Sequence, residues 1–125
     1  MLRYDILRKP LGLKFDEEQL KHEENEFHFI ASFKNKIIGV LLLKPLNYDI
    51  VKMRQVAVKK TLQKKGIGKK LVEFAEKWAK ENKFSKIELN ARLTSIDFYS
   101  KNNYKTIGSQ FDEVGIPHIK MYKDL

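Results

Sequence analysis

Cysteine is absent from this chain of 125 residues. Its absence excludes disulfides, thiolate-held zinc and any covalent transfer through a cysteine nucleophile. Histidine is scarce as well: His22, His28 and His118 stand far apart with no HExxH-type spacing, which argues against a histidine-rich metal site. No hydrophobic run is long. The longest, Ile37 to Leu43 (IIGVLLL), falls well short of the ~20 apolar residues that cross a bilayer. The opening MLRYDILRK carries charge throughout and does not read as a signal peptide. A cytoplasmic protein with no metal and no membrane partner is expected.

Apolar residues make up 42% of the chain and charged residues 33%, the mix of an ordinary globular protein. No repeat, linker or composition break divides it, so residues 1–125 are expected to form one domain with its own core. The formal net charge of +9 points to an anionic partner or to a merely solvated lysine surface. Charge alone does not choose between them.

The first elements expected are helical: Leu2 to Lys9, stopped by Pro10 and Gly12, and an acidic, weakly amphipathic piece around Asp16 to Glu24. Three strand signals follow, Phe27 to Phe33, Ile37 to Lys44 and Asp49 to Val58, with a turn at Asn35-Lys36. Leu71, Phe74, Ala75, Trp78 and Ala79 recur as one buried helical stripe. Glu73 with Lys77, and Glu76 with Lys80, are spaced as ion pairs on its wet face. Ser85 to Ala91 reads as a strand reached by a helical crossover, hence parallel to the strand ending at Val58. Thr94 to Asp97 resembles an N-cap opening a short helix to Lys101, and Asn103 can take the left-handed turn that ends it. Two closing strands, Tyr104 to Phe111 and Pro117 to Lys123, flank a turn at Asp112 to Ile116.

The stretch KKTLQKKGIGKK, Lys59 to Lys70, joins a strand to a helix and places two glycines among six lysines. It is not a P-loop, because Gln63 and Lys70 stand where glycine and Ser/Thr are required. It is not a dinucleotide fingerprint either, since Leu71 replaces the third glycine. What remains is a turn whose free amides run into the first helical turn. Those amides lack intrahelical acceptors, the helix dipole adds positive charge, and glycine lets an anion approach the main chain. The plainer reading is a basic turn that only enters a helix.

MRQVAVKKTLQKKGIGKKLVEFAEKWA resembles the acetyl-CoA-binding core of the GNAT superfamily of acyl-CoA-dependent N-acyltransferases, whose [QR]-x-x-G-x-[GA] turn wraps a pyrophosphate. LNARLTSIDFYSKNNY is similar to the family's later strand and FYxKxGF helix, with Asn103-Tyr104 in place of its GF. LRKPLGL near the start and FDEVGIPHIKMYK at the end resemble a subgroup of small members. The resemblance implies a mixed α/β, GNAT-like fold: a mostly antiparallel sheet with helices on both faces. The family's first strand is expected to be absent here. A bare edge at Phe27 to Phe33 would then invite pairing, as in a homodimer of the chain.

The resemblance also implies roles. Val56, Ala57 and Val58 would pair with the cofactor arm through their main chain, as an added strand. The amides of Gly66, Gly68, Lys69 and Lys70 would hold the pyrophosphate, with Gln63, Lys64 and Lys65 lining the loop and Ile67 counted among the cofactor-binding residues. Asn90 would hold the arm or a water beside it, and Lys101 the ribose phosphate. Tyr99 would give a proton to the departing thiolate and the amide near Val56 would face the oxyanion. Glu113 and His118 are the candidates for the base, with Glu88 an outsider. The acyl donor would be acetyl-CoA and the acceptor a primary amine, attacked directly in a ternary complex. Each residue also has a plainer reading: strand core for Val56 and Val58, core aromatic for Tyr99, turn cap for Asn90, solvated surface for Lys101, backbone-paired strand residue for His118. An inactive acyl-CoA-binding module or sensor is the alternative function. A nucleic-acid binder is disfavoured for want of aromatic-interleaved basic strands or a DNA-reading helix.

Overall fold

The computed structural model describes residues 13–19, 26–60 and 66–125. They form a mixed α/β fold of seven strands and two helices: β1 (Leu13–Gln19), β2 (Phe27–Phe33), β3 (Lys36–Pro45), β4 (Ile50–Val58), α1 (Ile67–Glu81), β5 (Lys86–Arg92), α2 (Ile96–Lys101), β6 (Lys105–Glu113) and β7 (Ile116–Asp124). The sheet order is β1-β2-β3-β4-β5-β7-β6, antiparallel except for β4 with β5. That one parallel pair is the pair joined by α1, since a parallel neighbour needs a crossover.

The helical stripe forms as its spacing dictates. Leu71, Ala75 and Ala79 are fully buried, with Val72 beside them, against Phe29, Leu41, Leu43, Val51 and Ile87 of the sheet. Phe74 and Trp78 meet an aromatic cluster: Phe27 lies 4.5 Å from Trp78 and Phe15 lies 5.8 Å from Phe74, centroid to centroid. Glu76 departs from the expected pair with Lys80. It turns inward, accepting a hydrogen bond from Tyr104 Oη at 2.8 Å and pairing with Lys123 Nζ at 3.0 Å. A boundary carboxylate gains more from a buried hydroxyl and a largely buried ammonium than from one solvated lysine.

Both helices end the same way. Phe84 N–H donates to the Ala79 carbonyl and Tyr104 N–H to the Tyr99 carbonyl, each at 3.0 Å, after a left-handed residue (Lys83, φ 74°; Asn103, φ 72°). These are Schellman stops, with the aromatic after the turn packing back onto Trp78 or Tyr99. Asn82 and Asn102 each donate a side-chain N–H to a carbonyl four residues earlier. The start of α2 differs from expectation. A 3-10 turn over Leu93–Ser95 leads in, and no side chain caps the helix, so Thr94 does not serve as the cap.

Three further expectations change. The acidic helix placed at Asp16 to Glu24 is, over Leu13–Gln19, a strand paired with β2. The sheet position beside Phe27–Phe33, where the family's first strand was expected to be missing, is therefore filled from within the chain. Edge pairing of two copies through Phe27–Phe33 loses its physical reason with it. The turn before β3 falls on Lys34 and Asn35, both at positive φ, one residue earlier than the sequence suggests. The two described helices share a single core with the sheet. The expected Leu2 to Lys9 helix lies outside the described residues, as does Leu20 to Glu24.

Candidate active site

The site begins with a defect in β4. Its register against β3 pairs Leu42 with Arg54 and Val40 with Ala57, so Gln55 and Val56 together oppose Leu41. Gln55 takes φ 53°, a left-handed conformation unusual for a residue with a side chain. Such a bulge bends its strand and leaves main-chain groups outside the ladder. The consequence is on the other edge: β4 and β5 pair from Ile50↔Lys86 to Met53↔Leu89 and no further. Beyond that point they separate, opening a cleft of about 940 Å³ lined by Val56, Ala57 and Val58 on one wall and Asn90, Ala91 and Arg92 on the other.

Tyr99, from α2, closes part of the cleft. It is 9% exposed, and burial pushes its hydroxyl up to about 12. The hydroxyl makes no hydrogen bond among the described residues, so a buried donor stands ready for a partner in the cleft. Tyr104, by contrast, is fully committed. Burial first, then the charge and hydrogen bond of Glu76, hold its proton far more firmly than an ordinary phenol.

Asn90, Glu113 and His118, placed far apart in the sequence, come together on the opposite wall. Asn90 Nδ2 donates to Glu113 Oε1 at 3.0 Å, and His118 Nε2 lies 3.9 Å from Glu113 Oε2. His118 is 6% exposed, with Phe111 stacked on it at 6.0 Å. Its Nδ1 sits 2.7 Å from the Ile116 carbonyl, a group that only accepts, so Nδ1 carries the hydrogen. In its neutral form the ring then presents the Nε2 lone pair beside Glu113. That arrangement can take a proton from an amine and stabilise the resulting imidazolium. The break in β6 register between Ile107 and Phe111 is what brings Phe111 opposite His118.

At the far end of β4, Gly66 caps α1 with φ 85°, a conformation only glycine adopts without strain. Ile67, Gly68 and Lys69 open the helix, so their amides have no intrahelical acceptor, and no acidic side chain occupies this turn. The Lys70 amide is spent: it donates to the Gly66 carbonyl at 3.0 Å. A Cβ at Gly68 would meet the Phe98 ring at 3.4 Å, an ordinary contact, so packing alone does not require glycine there. Gln63, Lys64 and Lys65 lie outside the described residues. Lys101 is exposed at the end of α2 and does not line the cleft, and Glu88 faces Lys120 at 3.9 Å instead.

Sequence reasoning missed Gln55, Arg92 and Ser95, and the cations Lys44, Lys52 and Arg54, all of which line the cleft. No local signal marks the bulge. The lysines were legible only as alternate residues of paired strands. Among the described residues no cluster of His, Asp and Glu is placed to hold a metal, and no helix is long and apolar enough to cross a membrane.

Residues 13–125 match the family described as Acetyltransferase (GNAT) domain, and the chain belongs to that family. It is similar to the uncharacterised N-acetyltransferase YjcF of Bacillus subtilis, 29% identical over 124 residues, spanning 98% of this chain and 88% of that protein. In fold it is similar to a GNAT family acetyltransferase of Elizabethkingia anophelis with acetyl-CoA bound (TM-score 0.77, 15% identity, 92% of this chain and 99% of that one). It also resembles a Bacillus subtilis acetyltransferase in complex with CoA (TM-score 0.72, 23% identity, 90% and 99%).

Proposed function

We propose that this chain transfers an acetyl group from acetyl-CoA to a primary amine within a ternary complex. The observation that carries the reading is the opening between β4 and β5 beside a buried tyrosine hydroxyl that has no partner among the described residues. The cofactor arm lies in that opening, against the main chain of Val56 to Val58. Its diphosphate rests on the amides of Ile67, Gly68 and Lys69.

His118 Nε2 accepts a proton from the acceptor ammonium, which Glu113 attracts. A lysine-type amine titrates near ~10.4 in water, so this step supplies the lone pair that neutral pH withholds. That lone pair attacks the thioester carbonyl carbon, and the oxygen gains charge beside the freed main chain near Val56. The C–S bond breaks as the carbonyl reforms, and the second proton on nitrogen, which the amide product cannot keep, passes through solvent to the departing thiolate. Tyr99 meets the departing sulfur. With its hydroxyl near 12, against ~8.5 for an alkyl thiol, full proton transfer is uphill by roughly 3.5 units, or about 5 kcal/mol. Tyr99 therefore works chiefly as a hydrogen-bond donor to the thiolate.

The test is release of free thiol from acetyl-CoA across a panel of amines. Amine-dependent release that falls in Tyr99→Phe supports the reading. Coenzyme A that binds while no amine is acetylated leaves the inactive binding module.

A further inference from the structure

The cleft has a second set of groups that the transfer chemistry does not use. Lys44 on β3 and Lys52 on β4 are directly opposite in antiparallel register, so both project from the same sheet face, and both line the cleft. Like charges so placed repel and weaken a sheet. Neighbouring cations on the strands are relieved: Arg54 pairs with Glu26 at 2.6 Å and Lys120 with Glu88 at 3.9 Å. Lys44 and Lys52 have no carboxylate partner among the described residues. Glu88, beside Lys52 in the β4–β5 register, is turned toward Lys120. Among the charged residues of the lining, Lys44, Lys52, Arg54 and Arg92 face a single carboxylate, Glu113.

These cations are badly placed for the cofactor's diphosphate. Lys52 precedes Val58 by six residues on one strand, roughly 20 Å at ~3.3 Å per residue, whereas the glycine turn follows Val58. They lie instead at the end of the cleft from which an acceptor would come. We propose that the acceptor is a small amine that also carries an anionic group, a carboxylate or a phosphate. Its ammonium end is drawn to Glu113 and His118, and its anionic end lies between Lys44 and Lys52. This rests on the transferase reading above and names the acceptor class for it.

The experiment measures thiol release at saturating acetyl-CoA with matched acceptors: α- and ω-amino acids against their amides, 2-aminoethyl phosphate against 2-aminoethanol, and 1,3-diaminopropane. The anionic member of a pair is expected to win by about tenfold or more in kcat/KM, mostly through KM, the size expected of a charge-assisted hydrogen bond that only one member can form. The carboxylate and phosphate series tell which anion is meant. Lys44→Gln with Lys52→Gln should erase the preference, and Lys52→Glu should turn it toward the diamine. Calorimetry with coenzyme A reports whether each variant remains folded and cofactor-competent. Equal or inverted preference, a preference that survives the double substitution, or turnover confined to uncharged and cationic amines overturns the inference while leaving the transferase reading intact. Coenzyme A that fails to bind the unaltered protein removes both.

Discussion

Tyr99 and His118 face one cleft from different elements, and each carries a distinct kinetic expectation. Tyr99→Phe removes a hydrogen-bond donor and little volume. It should lower kcat about 10²-fold, the effect of losing one donor to developing charge, with KM for acetyl-CoA nearly unchanged. An unchanged kcat would return Tyr99 to a packing role. His118→Gln should lower kcat/KM for the amine by about 10²-fold or more near neutrality. The deficit should shrink as pH rises and solvent deprotonates the amine unaided; a pH-independent deficit would mean that His118 only supports the wall. The resemblance to the GNAT family singled out Tyr99, Asn90, Glu113 and His118, and all four line the same cleft. Gln55 was not singled out. Its left-handed conformation is imposed by the mismatch between β3 and β4, and glutamine has no local preference that announces it.

Elements show where local chemistry suffices and where it does not. The stops of α1 and α2 lie in the short strings Asn82-Lys83-Phe84 and Asn102-Asn103-Tyr104, since capping needs only neighbours along the chain. The hairpin between β6 and β7 is a less comfortable case. Val114 sits at φ 53° and is 91% exposed, a β-branched side chain held in the left-handed region with nothing packed against it. Val114→Asn, which tolerates that geometry, should raise stability by about 1 kcal/mol in chemical denaturation. A loss of stability would show that the valine is making contacts that matter. At the start of α1, Gly66→Ala should destabilise by at least about 1 kcal/mol and weaken coenzyme A binding, because φ 85° disfavours any Cβ. Asp16 to Gln19, within β1, is the stretch that sequence reading placed in the wrong class. Its acidic residues suit a helix surface, but Phe15 finds Phe74 and the backbone finds the open edge of β2, so tertiary pairing overrides propensity.

For the whole molecule, the tyrosines set a limit on alkaline stability. Tyr99 titrates near 12 when folded and near 10 when unfolded, so the folded state holds its proton longer. Its contribution is intact below pH 10 and is lost as pH climbs toward 12, at most about 3 kcal/mol by the 1.36 kcal/mol per unit of linkage. Tyr104 shifts the same way, through burial and Glu76, and adds to the fall. Denaturation midpoints that drop between pH 10 and 12, and drop less in Tyr104→Phe, would bear this out; a flat profile would not. The mixed sheet was legible because helical and strand periodicities alternate in a recognisable order. The cleft's charge was not, because Lys44 and Lys52 become neighbours only when β3 meets β4. The most direct measurement is an amide NMR titration with coenzyme A. Saturable shifts should concentrate at Val56 to Val58, Ile67 to Lys69 and Asn90. Shifts that are absent, or that cluster away from the separated ends of β4 and β5, would contradict the account.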